Sequence, residues 1–450
     1  MNLKDFINKN VLLVDATHGG LILAKKLRDF CDNPVVLDIY KTIDSKREKE
    51  LIKDGIKIEK DVSISKNELK FDVVSSPVHS PILNPILCKN SPQKIISHHE
   101  MTKILLKRML SKKTKVIEVT GLKGKTSTTT ILKEILIEAE NKVLASTSLE
   151  TVYENPTEKI PLGKPSITPA NVISVLERAI DEKLDLDFLL FETSLGFTGA
   201  AKTNVLTSIN KNYDYLIAGG KLCAITSKMF TTGYLEGGGQ LILEMEDYDQ
   251  NTEKFSSETV TTYGFNKKAD IYAKTIDNRS SKMKIEGGLH NFNVVLSEQF
   301  FGKIHQKNAL SAITAALSVG IDIDSIKSSL KKSVGIAGRM QKLKRGGQII
   351  IDNSNPTLNP VSLDMAIKEV KSYAKKCGYK NRDIAVVVGG NKSYCIKTDY
   401  LGLKDIIEKY NLTFFLSGKI GKRLKEIGSD GKLCMKPEPK EKIVLLSVQK

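Results

Sequence analysis

The sequence predicts an α/β protein built from three consecutive blocks, residues 1–110, 111–335 and 336–450. Three observations carry that prediction. Short apolar runs alternate with stretches whose apolar residues recur at helical spacing, the pattern of parallel or mostly parallel sheets with helices packed on them. A glycine-rich turn joins one such run to one such stretch near residue 121. The chain has 450 residues, enough for two or three domains with sizeable cores.

The first block opens on a buried-strand pattern, Val11 to Val14, then a turn at His18-Gly19-Gly20 and an amphipathic stretch through Leu21, Ala24 and Leu27. A second strand is expected at Val35 to Leu37, followed by Asp38. This is the outline of a Rossmann-like βαβ half. Further strands are expected at Phe71 to Val74 and at Ile95-Ile96, with Ser76-Pro77-Val78-His79 as the loop after the first of them.

In the second block the apolar run Val116, Ile117 and Val119 leads into Gly121-Leu122-Lys123-Gly124-Lys125-Thr126-Ser127. Gly121 and Gly124 let the backbone turn sharply and bring its N–H groups close to an anion. Lys125 supplies a point charge for the β/γ-phosphates, and Thr126 or Ser127 a hydroxyl for Mg²⁺. Behind them Ile131, Leu132, Ile135 and Leu136 recur at helical spacing, so the phosphates would sit on a helix N-terminus. Only Leu122 and Lys123 stand between Gly121 and the Gly-Lys pair, where the ordinary P-loop has about four residues. The block therefore reads as a central ATP-binding P-loop domain; the plain alternative is a glycine turn between strand and helix. Further on, Phe188 to Phe191 reads as a buried strand delivering Glu192 at its C-terminal edge, where an α/β ATPase places a metal-handling or water-orienting acid. A solvated strand-end glutamate is the alternative. Gly196 and Gly199 imply a loop after it.

The third block begins near Gly335. Gly338-Arg339 precedes a hairpin around Arg345-Gly346-Gly347, whose second strand is Ile349 to Ile351, and Asp352-Asn353-Ser354-Asn355-Pro356 forms a polar loop. Strands at Ile384 to Val388, Leu412 to Leu416 and Ile443 to Leu446 alternate with helical patterns, giving a second Rossmann-like α/β block.

Composition narrows the function. With 40% apolar and 27% charged residues the chain is globular, and it holds no 18-residue apolar run; no membrane association is expected, and the start lacks the apolar segment of a signal peptide, so the expected location is cytoplasmic. Cysteines 31, 88, 223, 377, 395 and 434 are scattered without a C-x-x-C pair, which fits reduced thiols rather than a zinc site or a disulfide frame. The net charge of +17 is spread along the whole chain without a Lys/Arg block, and Trp is absent, so no nucleic-acid partner is expected. A basic chain also suits polyanionic small substrates, ATP among them.

Taken together, these residues resemble the Mur ligase superfamily, ATP-dependent ligases that activate a carboxylate as an acyl phosphate. The resemblance spans almost the full chain and implies a three-domain architecture: an N-terminal substrate-binding domain, a central ATP-binding domain and a C-terminal domain closing over ATP. The family's phosphate loop, typically T-G-T-N-G-K-T-[ST], has the short spacing of Thr120 to Ser127. Ser166-Ile167-Thr168-Pro169 resembles the family's Thr-Thr-Pro element, which implies a magnesium-side hydroxyl on Thr168. Glu192 falls on its metal-binding glutamate. Lys228 falls where the family has a carbamylated lysine, while Tyr213 replaces the histidine that accompanies it.

Gly302-Lys303-Ile304-His305-Gln306-Lys307-Asn308-Ala309 is similar to a family element near the adenine, with Asn308 matching. His305 has either an adenine role there or a capping or core role. Arg339 matches an arginine that reaches ATP from the third domain, Asp352 a ribose-contacting acid, and Gly389-Gly390-Asn391-Lys392 a loop after a C-terminal-domain strand. The implied cofactors are ATP and one or two Mg²⁺ ions.

The acceptor is narrowed by departures from the peptidoglycan ligases. Asp15-Ala16-Thr17-His18-Gly19-Gly20, Ser76 to His79, Phe191 to Gly196 and Ile217 to Gly220 are similar to a branch of the superfamily in methanogenic archaea. That branch activates a propionate of a polycarboxylate nickel tetrapyrrole and closes a ring by carbon–carbon bond formation. His18 and His79 are suited to contacting such a macrocycle or its carboxylates; turn histidines capping backbone are the alternative. The rival acceptor is a nucleotide-linked peptide extended through an amide bond, as in pseudomurein synthesis.

Overall fold

The computed structural model describes residues 2–31, 34–60, 71–80, 92–235, 238–255, 259–277, 282–354, 358–391, 398–435 and 437–449. The chain divides into two compact units: Met1–Tyr272 with Ser311–Ile326, and Ala273–Leu310 with Lys327–Lys450.

The first unit holds two large sheets and a two-stranded antiparallel pair, Leu216–Ile217 with Leu222–Cys223. Its N-terminal sheet is five parallel strands in the spatial order Lys57–Glu59, Val35–Leu37, Val11–Val14, Val73–Ser76, Lys94–Ser97. Val11–Val14 and Val35–Leu37 are apolar at every position because both faces are covered, as parallel sheets require. The strand order reverses between Val11–Val14 and Val73–Ser76. In open α/β sheets that is where a crevice opens beyond the carboxyl ends of the strands.

The central sheet of this unit runs, in spatial order, Thr259–Gly264, Gln240–Glu244, Thr203–Leu206, Lys115–Thr120, Phe188–Glu192, Val143–Ser146, Thr151–Asn155, Glu158–Gly163. The strands from Thr259–Gly264 to Val143–Ser146 are parallel, and the last two add as antiparallel neighbours. One apolar cluster joins the two sheets through Leu23, Leu27, Leu105, Ile173, Leu176 and Leu189.

The second unit carries a sheet in the order Gln341–Arg345, Gln348–Asp352, Ile443–Gln449, Ile384–Gly390, Thr413–Ser417, Lys432–Leu433. The first pair is the expected hairpin and the others are parallel. Helices Pro360–Lys376, Tyr400–Lys409 and Gly418–Glu426 bury Leu363, Ile367, Leu403, Ile420 and Leu424 against it.

Most expected strands are present, with shifts of one or two residues. The strand expected at Phe71 to Val74 runs Val73–Ser76, and Asp72 just before it accepts from Asn10 N at 2.9 Å. Helix His98–Met109 was not anticipated, although Ser97 and Glu100 make a capping box at its start. None of the four described cysteines, Cys31, Cys223, Cys377 and Cys434, forms a disulfide. Asn355, Pro356, Lys392, Cys88 and Cys395 lie outside the described residues. Among the described residues no helix is long and apolar enough to cross a membrane.

Candidate active site

The strand Lys115–Thr120 lies between Thr203–Leu206 and Phe188–Glu192, and its carboxyl end opens into Gly121–Gly124 before helix Lys125–Glu138. Gly121, at φ +143°, has no room for a side chain: a Cβ would stand 2.2 Å from Thr207 Oγ1 and 2.9 Å from Ser208 N. Leu122 is buried and donates its N–H to Ser208 O at 2.8 Å, while Thr207 Oγ1 donates to Lys123 O at 2.6 Å. The neighbouring strand end thus clamps the turn. Gly124, at φ +92°, caps the following helix with no side-chain hydrogen bond, so no capping side chain competes for its first N–H groups. Lys125 Nζ curls back to donate to Gly121 O at 3.0 Å. Thr126 and Ser127 are buried in the first helical turn.

Glu192 ends its strand 3% exposed, which rules out the solvated reading. Its Oε1 accepts from Ser148 N at 2.5 Å, and its Oε2 is buried without a hydrogen-bond partner among the described residues. Ser148 Oγ lies 3.0 Å from Thr126 Oγ1. Thr126, Ser148 and Glu192 therefore gather oxygen donors beside the phosphate turn, one of them an orphaned carboxylate oxygen. Such an oxygen is costly to leave buried and unpaired, and oxygen donors of this kind suit Mg²⁺. Thr168 sits on a segment tied to the same region, since Ser194 N donates to Ile167 O at 2.9 Å. Its Oγ1 accepts from Asn171 Nδ2 at 2.6 Å.

Lys228, on helix Ala224–Thr232, is fully buried rather than an exposed helix lysine. Its Nζ lies 3.4 Å from Thr120 Oγ1, the residue before the turn. Burial, and then the charge of Lys125, push its amine well below the ordinary lysine range; Asp214 and Glu192 pull the other way. Tyr213 is half-buried on the short turn Lys211–Tyr213, immediately before that Asp214.

Glu118, inside the phosphate-turn strand, is fully buried and ties down the loop after Glu192. It accepts from Thr198 N at 2.6 Å, Thr198 Oγ1 at 2.9 Å, Thr193 Oγ1 at 3.2 Å and Gly199 N at 3.3 Å. Burial pushes its carboxyl up to about 7 against these four donors.

In the second unit, Asp352 Oδ2 accepts from Gly338 N at 3.1 Å, and its Oδ1 accepts from Ser354 N at 3.0 Å and from Ser354 Oγ. A Cβ on Gly338 would stand 2.0 Å from Ser354 O, so the turn carrying Arg339 is pinned to the Asp352–Ser354 loop. His305 is buried, and its Nε2 donates to the Arg339 carbonyl. It therefore fills the core role of its two alternatives. Asn308 is buried on helix Lys303–Ser318.

The geometry thus gathers Gly121 to Ser127, Glu192 and Lys228 at one sheet edge, and Arg339 with Asp352 in one loop pair. Ser148, Glu118, Asp214 and Thr207 were missed from sequence. Ser148 follows a strand by two residues, as Asp15 follows another by one, and a search for polar residues just past predicted strands would have found it.

The Mur ligase middle domain family model matches residues 119–316. The match begins at Val119, so this domain contains the phosphate turn, Glu192 and Lys228. Around it the whole chain is similar to coenzyme F(430) synthetase of Methanosarcina acetivorans, 27% identical over 95% of this chain and 93% of that one. It is also similar to coenzyme F(430) synthetase of Methanocaldococcus jannaschii, 26% identical over 92% of each. A pseudomurein peptide ligase type C from Methanothermus fervidus, 17% identical, superposes with a TM-score of 0.53 over 98% of this chain and 97% of that one. At that identity the likeness shows the fold, which is the multi-domain α/β fold of the Mur ligases.

Proposed function

We propose that the protein is an ATP-dependent ligase that activates a carboxylate as an acyl phosphate. The observation that carries this is the convergence of the Thr126, Ser148 and Glu192 oxygens and the Lys228 amine on the phosphate turn of a Mur ligase middle domain. A carboxylate is a poor electrophile because its charge repels nucleophiles and oxide is a poor leaving group. Accepting the γ-phosphoryl group of ATP removes both obstacles, and the protein's part is positioning and charge neutralisation.

In this reading Gly121 to Gly124 and the first N–H groups of helix Lys125–Glu138 hold the phosphates, with Lys125 turned from Gly121 O onto them. Thr126 or Ser127, Thr168 and Glu192 hold Mg²⁺, which when bound neutralises phosphate charge and polarises the transferred group. Lys228 is suited to carbamylation, because only a neutral amine attacks CO₂ and burial disfavours the charged form of this one. The resulting carbamate would offer oxygen donors to a second Mg²⁺. The family resemblance assigns Arg339 and Asp352 to the nucleotide as well, with Asn308 at the adenine, and residues 1–110 to substrate binding.

The acceptor we propose is that of coenzyme F(430) synthetase: the propionate of 15,17(3)-seco-F(430)-17(3)-acid, joined to a ring carbon with release of ADP and phosphate. Similarity to two such synthetases from end to end supports it. The test is ADP release by the purified protein with ATP, Mg²⁺ and the nickel seco-acid. ADP release should be stimulated, and mass spectrometry should show a product lighter by one water. Stimulation by an amino acid with a UDP-linked peptide instead would overturn the acceptor in favour of an amide-forming ligase. Lys125→Ala should cut turnover by about 10²-fold or more, the scale of one lost transition-state charge contact.

A further inference from the structure

Carbon–carbon bond formation needs a group to take the proton from the attacking carbon, and in the reading above the described groups of the phosphate site are engaged with nucleotide and cation. We propose that His18, oriented by Asp15, is that proton acceptor; the proposal rests on the tetrapyrrole reading above.

Asp15 follows the strand Val11–Val14 directly, 1% exposed and held at φ +74°, a conformation that non-glycine residues seldom adopt and that clusters at functional sites. Its Oδ1 accepts from Thr17 Oγ1 at 2.7 Å, Thr17 N at 2.9 Å and His18 N at 3.1 Å, and its Oδ2 meets His18 Nδ1 at 2.5 Å. A carboxylate behind Nδ1 fixes the tautomer that leaves Nε2 free to accept a proton, and stabilises the imidazolium that results. The His18 side chain is 39% exposed, so a substrate can reach it.

The other five histidines lack this arrangement. His98 and His99 are buried and donate to the backbone at His18 O and Ser194 O. His305 is buried against Arg339 O. Among the described residues no carboxylate pairs with His79 or His290. The three ligand atoms of Asp15, His18 and His79 do lie within 4.8 Å of one another. Yet the Asp15 oxygens already face four donors, so the cluster is built as an acid–imidazole pair rather than as a cation site.

Its position fits the chemistry. Asp15 and His79 follow the two strands between which the N-terminal sheet reverses order, the crevice where open α/β sheets bind ligands. The same loop rests on the phosphate domain, since a Cβ on Gly19 would stand 2.6 Å from Ala170 Cβ, two residues past Thr168. His99 then reaches Ser194 O at 3.4 Å, two residues past Glu192. The crevice and the carboxylate-activating edge are thus neighbours within one compact unit.

In the step, the C–H electron pair of the ring carbon becomes the new carbon–carbon bond to the acyl carbon. The acyl C–O pair leaves with phosphate, and the proton passes to Nε2. The groups facing His18 are Asp15, the His79 ring at 5.1 Å, the Tyr40 ring at 5.9 Å and His98, bonded to its carbonyl. The hydrogen bond that His18 donates to Asp15 raises the His18 pKa, whereas burial lowers that of His79.

The test compares wild type, His18→Gln and Asp15→Asn, each with ATP, Mg²⁺ and the nickel seco-acid. Two readouts are followed: acyl phosphate trapped by hydroxylamine as the hydroxamate, and ring-closed product. His18→Gln should form hydroxamate while ring closure falls at least about 10²-fold, the scale of general-base loss. Asp15→Asn should also form hydroxamate, with the rising limb of its ring-closure pH profile displaced to lower pH. Ring closure by His18→Gln near the wild-type rate overturns the proposal. So does loss of both readouts in a folded His18→Gln, which would mean substrate binding. If His18→Gln does not fold, an unshifted Asp15→Asn profile overturns it. Wild type that makes neither hydroxamate nor product from this acid refutes the acceptor reading itself, and the proposal with it.

Discussion

Ser148 donates its backbone N–H to Glu192 Oε1 at 2.5 Å, and its hydroxyl lies 3.0 Å from Thr126 Oγ1. One residue between two strands therefore links the acid at a strand end to the first hydroxyl of the phosphate helix. It fixes one carboxylate oxygen, while the other, Oε2, is buried and has no partner among the described residues. That half-satisfied state makes sense when a cation completes it.

Replacing the acid tests this. Glu192→Gln keeps an acceptor for Ser148 N–H but loses the charge, so it should raise the Mg²⁺ concentration needed for half-maximal ADP release and lower turnover by about 10²-fold. Titration of Mg²⁺ against ADP release measures both. An unaltered Mg²⁺ requirement would remove Glu192 from the cation site.

Lys228 should depend on dissolved CO₂. Enzyme stripped of bicarbonate should lose activity and regain it when bicarbonate is restored, with Lys228→Ala inactive under both conditions. Turnover indifferent to bicarbonate would leave Lys228 as a buried amine only.

Gly121→Ala should damage both fold and activity. The new Cβ would overlap Thr207 Oγ1 at 2.2 Å, and the φ of +143° suits only glycine. Strain of this kind costs about 1–3 kcal/mol, which should lower the first unit's melting temperature by several degrees. A variant melting with wild type would show the Thr207–Ser208 clamp to be loose.

Acid should unfold the first unit through its buried histidines. Burial holds His98 down at about 4 and His99 at about 3, against 6.5 in the unfolded chain. The unfolded state therefore binds protons that the folded state refuses. The stability these groups contribute is complete above 6.5 and is lost as pH falls toward 4 and 3. Glu118 acts oppositely: its carboxyl, raised from 4.5 to about 7, costs stability as pH rises through that window. Urea midpoints between pH 7.5 and pH 4.5 should fall on the acid side, and a His99→Phe variant should fall less steeply. A flat profile would contradict the burial of both rings.

Much of this was legible beforehand because it is local. The phosphate turn announces itself through two glycines and a lysine between an apolar run and a helical period, and Glu192 through its place at the end of Phe188–Phe191. Asp352 was legible as a loop acid, but its hold on Gly338 N was not, since that contact joins residues on opposite sides of a hairpin. For His305 two roles stood open until its ring was seen bonded to the Arg339 carbonyl.

By itself the sequence determined the α/β class, the short glycine turn after Thr120 and the helix that follows it, because strand and helix periodicity and glycine turns are properties of neighbouring residues. Only the tertiary structure decided that Ser148 joins Thr126 to Glu192, that Lys228 is fully buried, and that Asp15 backs His18 where the N-terminal sheet reverses. Those facts depend on which strand lies beside which and on how far water is excluded, and strand order and burial belong to the folded chain as a whole.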